Sequence, residues 1–207
     1  MKRQGTWTGR VTVVVSAVLV ASAAMLLGAC ATAPSLRELL DATPVKQLGF
    51  YDFDPSVPLG DRIGTPPAEL LELYSRADGV TYRAYEPDAR ERGRLAALYP
   101  LLPARHQRVL RERLVAVYCI ENFTGSGMAD YVLGPGDEVY SLLILHPRVF
   151  EMTARELILL RERTAFARDD SGVSIHIELS EDVSALAYIV LHEATHIVDY
   201  AERHTPY

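Results

Sequence analysis

Cysteine is scarce in this 207-residue chain: Cys30 and Cys119 are the only two, too few for a disulfide framework. Cys119 sits inside the apolar run 115–120 with no His or Asn arrangement around it, so it reads as a buried, inert thiol and not as a nucleophile. Clusters of Lys and Arg are lacking too. The chain has 21 basic and 27 acidic residues, a net charge of −6, and nucleic acid is excluded as a partner because phosphate binding draws on dense cationic patches. There is no internal repeat and no low-complexity tract. Nor is there a phosphate loop: Thr124-Gly125-Ser126-Gly127 and Gly134-Pro135-Gly136-Asp137 open no helix, and read as turns between strands.

What is present begins at the N-terminus. Lys2, Arg3 and Arg10 precede an apolar stretch over 11–27 that ends in Leu27-Gly28-Ala29-Cys30, the charge, apolar and small-residue order of a secretory signal. The last four residues resemble a bacterial lipobox, which implies that Cys30 is lipidated and becomes the first residue of the mature chain. An uncleaved anchor helix is the competing reading, since 17 apolar residues approach the length that spans a bilayer. Both export the domain. Acyl chains on Cys30 would hold it at a membrane of the bacterial envelope, each buried CH₂ adding about 0.8 kcal/mol. Ala31 favours the outer membrane, by analogy with enteric sorting. Losing 1–29 removes three basic and no acidic residues, leaving 18 basic, 27 acidic and a net charge of −9. Cys119 is then alone.

The mature 178 residues suit one domain over 45–207, joined to the lipidated cysteine by a tether over 30–44. Residues 35–113 are mostly helical in pattern, punctuated by Pro66-Pro67, Pro87 and Pro103, and read as a packing or recognition lobe without chemistry. Runs rich in β-branched and apolar residues at 114–123 and 139–145 predict strands. Thr153-Ala154-Arg155-Glu156 has capping-box spacing and predicts a helix to about Ala167. Alternation over 174–179 predicts a half-buried strand.

The chemistry lies in His192-Glu193-Ala194-Thr195-His196. A helix is predicted over 180–203, with Ser180 as N-cap and no Gly or Pro inside. Residues four apart lie one turn along a helix and on one face, so both imidazoles can address one metal ion. Glu193 lies about 100° round the helix from His192, placed to act on a water and not on the metal. Val183, Leu186, Ala187, Val190, Ala194, Ile197, Val198 and Ala201 form the apolar back. His192, His196 and Asp199 share the opposite side.

On these residues, and on the preceding order of strand, strand, helix, strand and motif helix, the chain resembles the zincin superfamily of zinc metallopeptidases over about 114–203. The resemblance implies an α+β fold: a zincin-like N-terminal subdomain with a small mixed sheet and the active-site helix, after a helical N-terminal region, with the C-terminal subdomain short or missing. It implies Zn²⁺ as cofactor, His192 and His196 as ligands, Glu193 as general base, and 174–179 with His176 as the rim of the cleft. The third ligand departs from the family pattern. Glu202 stands where the metzincin branch has its third ligand, but that branch's Gly is replaced by Asp199, which is better suited to support His196 or the metal. His204 is a further candidate. A zincin cleft also needs a lower lobe, and the chain reaches Tyr207 before one could form; a C-terminal continuation carrying the third ligand is the other reading. Two functions stay open: a membrane-tethered metallopeptidase acting on peptides or proteins of the cell envelope, and a catalytically inert lipoprotein with a structural or ligand-binding role. His106 and His146 read as surface or element-end residues, Tyr200 as helix packing, and Asn122-Phe123-Thr124 as an accidental glycosylation pattern.

Overall fold

The computed structural model describes residues 42–136, 138–165, 176, 178–180 and 182–205. The chain divides into Met1–Leu39 and Leu40–Tyr207. The first unit, with the signal-like segment and Cys30, lies outside the described residues; among those described, no helix is long and apolar enough to cross a membrane.

The second unit is α+β. In chain order it comprises β1 (Ile63–Gly64), α1 (Ala68–Asp78), β2 (Arg83–Tyr85), α2 (Ala89–Leu98), α3 (Ala104–Arg113), β3 (Leu114–Glu121), β4 (Gly127–Leu133), β5 (Val139–Leu145), α4 (Ala154–Ala165) and α5 (Ala185–Glu202), with short 3₁₀ turns between them. β3 is the centre of a mixed sheet. It pairs in parallel with β5 on one side. On the other side β1 runs parallel to it and β2 antiparallel, at successive positions along the same edge. β4 runs antiparallel to β5 and forms the far edge.

The central strands follow from their composition. Val117, Cys119, Ile120 and Leu142 to Leu145 are all 0–1% exposed, so β3 and β5 are apolar on both faces, as strands covered on both sides must be. One face packs Val117, Leu143 and Leu145 against Leu95, Leu110 and Val190 from the helices. The other packs Tyr118, Ile120, Leu142 and Ile144 against Val45, Leu70 and Tyr74. The residue count for β3 shifts between Leu114 and Ala116, where the pairing with β5 is irregular.

Several expectations needed correction. The described part of the region 35–113, residues 42–113, holds three helices, but it also contributes β1 and β2 and a buried cation, Lys46, so it is part of the main sheet and core. Strands of two and three residues are too short to show a period. β4 fills the span between the turns at 124–127 and 134–137. Within 174–179, His176, Glu178 and Leu179 carry no strand pairing, and the remaining positions lie outside the described residues. α5 starts at Ala185 and not at Ser180: the Ser184 hydroxyl accepts the Ala187 N–H at 3.1 Å as N-cap. The later start has a cause. Thr153 and Ser184 form an antiparallel bridge, with Ala154 N–H donating to Val183 O and Ala185 N–H to Met152 O, which holds Ser184 extended directly before the helix. The capping box at Thr153 is as expected: Thr153 N–H donates to the Glu156 carboxylate at 2.8 Å and Glu156 N–H to the Thr153 hydroxyl at 3.2 Å.

Candidate metal centre and its cleft

α5 buries Leu186, Val190, Ala194, Ile197 and Val198 against the sheet and leaves Tyr188, Leu191, His192, Thr195 and His196 exposed. Val183 falls before the helix and is 39% exposed, so the apolar back is narrower than the sequence implied.

The two imidazoles converge. His192 Nε2 and His196 Nε2 are 3.3 Å apart, with ring planes at 78°. Two nitrogens each about 2.05 Å from one tetrahedral zinc ion are separated by about 3.3 Å, the same separation as this pair. Tyr188 stacks on His192 at 6.2 Å and Tyr200 on His196 at 6.3 Å, closing a column of four rings along the helix. Burial first, and then the carboxylates of Glu193, Asp130 and Asp199, raise the Tyr200 phenol above its ordinary range.

Glu193 turns from the histidines toward β4 and is 6% exposed. Its Oε2 accepts the Ala129 N–H at 2.8 Å, an edge-strand donor that β5 does not use. The approach depends on Gly127: a Cβ there would lie 2.4 Å from Ile189 Cγ2 and 3.1 Å from Glu193 Cγ. A cleft of about 490 Å³ opens beside this pair, with Ser126, Gly127, Arg148, Arg161, His192 and Glu193 among its walls. Arg148 is set by its neighbour: its N–H donates to His146 Nδ1 at 3.0 Å, while burial and the adjacent guanidinium push His146 down to about 4 and keep it neutral.

The other candidates are not gathered here. α5 continues past His196, so Glu202 is about 9 Å further along the axis and about 120° round from it. Its carboxylate pairs with Arg105, Arg108 and His204. Hydrogen bonding from Arg105, chiefly, holds Glu202 down to about 2. That ion cluster also takes up His204. Asp199 Oδ1 accepts the Thr205 N–H at 2.9 Å and its hydroxyl at 3.1 Å, fastening the helix C-terminus and making no contact with His196. His176 lines a separate hollow with Arg155, Glu178, Leu179 and Ser180. His106 Nε2 meets the Thr195 hydroxyl at 3.2 Å, making it a helix contact and not a bare surface residue. Cys119 is buried, and burial pushes its thiol up to about 12. Among the described residues no three His, Cys, Asp or Glu side chains converge on one point.

Sequence reading missed Arg148, Gly127 and the Ala129 amide. Gly127 was legible only as half of a turn, and a backbone donor leaves no mark in the residue types. No family model matches this chain, and no curated protein or solved structure is similar enough to count as a match.

Proposed function

We propose that this protein is a zinc-dependent metallopeptidase of zincin type, held at the bacterial envelope through lipidated Cys30 and acting on peptides or proteins there. The observation that carries the reading is the 3.3 Å approach of His192 Nε2 and His196 Nε2 with the buried Glu193 beside them at a cleft. His192 and His196 would hold the ion. Zinc, when bound, supplies Lewis acidity that brings the pKa of water near 7 and polarises a carbonyl. Glu193 is anchored through Oε2, which leaves Oε1 to take the proton of the attacking water and return it to the leaving amine. The upper rim in this reading is β4, the antiparallel edge strand against α5, in the role first expected of 174–179.

One observation favours the second reading, an inert envelope lipoprotein that keeps a zincin-like half-fold. Two histidines alone hold zinc weakly, and Glu202 and Asp199 are engaged elsewhere. The test separates the two. Glu193→Gln should keep the zinc content of the wild type and lose peptide hydrolysis by about 10²–10⁴-fold, while His192→Ala should lose the metal as measured by elemental analysis. Undiminished hydrolysis by Glu193→Gln refutes the mechanism. A wild type that holds zinc but cleaves no member of a peptide library establishes the inert reading.

A further inference from the structure

A spacing of four puts two imidazoles on one face of α5, but it does not choose their rotamers. Each ring turns about two side-chain bonds, and most settings point the two Nε2 atoms apart. The residues around the motif bear on that choice. Tyr188, His192, His196 and Tyr200 form one row at four-residue spacing, and on a helix each side chain leans toward the N-terminus, over the residue four before it.

The row is not uniform. Its outer pairs lie nearly parallel: Tyr188 and His192 have centroids 6.2 Å apart and planes at 27°, and His196 and Tyr200 stand at 6.3 Å and 25°. The inner pair meets edge to face, at 4.9 Å and 78°. All three fall in the range of about 4.5–7 Å over which aromatic rings attract. Each imidazole thus has one face toward a phenol ring and meets the other imidazole at an edge, and in this arrangement the Nε2 atoms are 3.3 Å apart. Turning either imidazole would break its stack. Core packing accounts for Tyr200 in part, since it is half-buried against the main core. It does not account for Tyr188, which is 37% exposed while its neighbour Ile189 supplies the buried contact.

We infer that Tyr188 and Tyr200 are positioning residues of the metal centre: their rings hold the two imidazoles convergent before zinc arrives, and neither phenol is a ligand. This inference rests on the zinc reading of His192 and His196. Two histidines alone hold their ion weakly, so the freedom that those side chains lose on binding is a large part of what decides the affinity.

Zinc and cobalt titrations of the full chain, with no peptide present, test it. Tyr188→Leu and Tyr200→Leu each remove one stacked ring and should each weaken zinc binding about two- to tenfold. Tyr188→Phe and Tyr200→Phe keep the ring, lose the hydroxyl, and should bind zinc as the wild type does. At saturating cobalt the visible absorption of the leucine variants should match that of the wild type, because the ligand set is unchanged. Tyr188 lies outside the core, so Tyr188→Leu tests the inference even if Tyr200→Leu unfolds the protein. Wild-type zinc affinity in Tyr188→Leu overturns the inference and leaves the zinc reading standing. So does a loss in the phenylalanine variants equal to that in the leucine variants, or an altered cobalt spectrum, since the hydroxyl and not the ring would then be acting. A wild type that binds zinc no more tightly than His192→Ala overturns the zinc reading, and the inference with it.

Discussion

Gly127→Ala should loosen the whole site from one methyl group. The added Cβ would stand 2.4 Å from Ile189 Cγ2 and 3.1 Å from Glu193 Cγ, where carbon atoms settle at about 3.5–4.0 Å. Ile189 is 6% exposed and sits in the core, so it has little space to yield, and β4 must move off α5 by about 1 Å. Overpacking of this kind costs about 1–3 kcal/mol. Gly127 is not a positive-φ position, so the penalty comes from contact and not from backbone strain. The same 1 Å stretches the Ala129 N–H to Glu193 Oε2 distance from 2.8 Å past hydrogen-bond range, releasing the proposed base. Thermal unfolding should fall by about 2–12 °C, at about 2–4 °C per kcal/mol in a chain of this size, and hydrolysis should fall with it. Ile189→Ala removes the clashing methyl and costs about 2–5 kcal/mol alone through the cavity. The double variant should be less destabilised than the sum of the two by most of the overpacking term. An additive double variant, or a Gly127→Ala protein with unchanged midpoint, refutes the close approach of β4 to α5.

Asp130→Asn should cost about 3–5 kcal/mol in urea unfolding, because Lys46 and Asp130 are 8% and 7% exposed and the substitution strands a buried ammonium; replacing the pair by Met and Leu should recover most of that. His146 titrates near 4 when folded and near 6.5 when unfolded, so between those values the unfolded chain binds a proton that the fold refuses, and stability falls as pH drops through that window. His146→Asn keeps an acceptor for the Arg148 N–H and should flatten that part of the wild-type stability profile; an unchanged slope between pH 6.5 and 4 refutes the assignment. In a bacterial host the wild type should enter the membrane fraction and incorporate labelled fatty acid, and Cys30→Ala should not; equal labelling ends the lipoprotein reading.

What the sequence made legible was decided by length and periodicity. β3, β5, α4 and α5 are long enough to show their period, and each lies within a few residues of where the pattern put it. The His192 and His196 pair was legible for the same reason, since i,i+4 spacing fixes geometry inside one helix without help from the fold. β1 and β2 were not legible because two or three residues carry no period, and their pairing comes from β3. β4 was obscured by Asp130, a charge in the middle of a strand, which is buried because Lys46 and the Tyr74 hydroxyl meet it from 84 and 56 residues away. Ser184 lost the N-cap role to Ser180 in the sequence reading because what decides between them is the bridge to Thr153, a contact between segments.

That buried pair is the deepest link between fold and site. An edge strand with one free side is the part of a sheet most easily peeled away, and β4 is the strand on which Glu193 depends. Asp130 and Ala129 are neighbours, and in a strand their side chains point to opposite faces. On one face Lys46 and Tyr74 grip Asp130; next to it, the Ala129 amide grips Glu193. Gln47, adjacent to Lys46, adds a bridge to Leu133 at the far end of the same strand. Lys46, Gln47 and Tyr74 thus act on the site at one remove, by fixing the strand that holds the base. Asp130→Asn should therefore lower hydrolysis more than its loss of stability explains under conditions where the variant is still folded, whereas a variant with full activity per folded molecule would show that β4 holds its place without the pair.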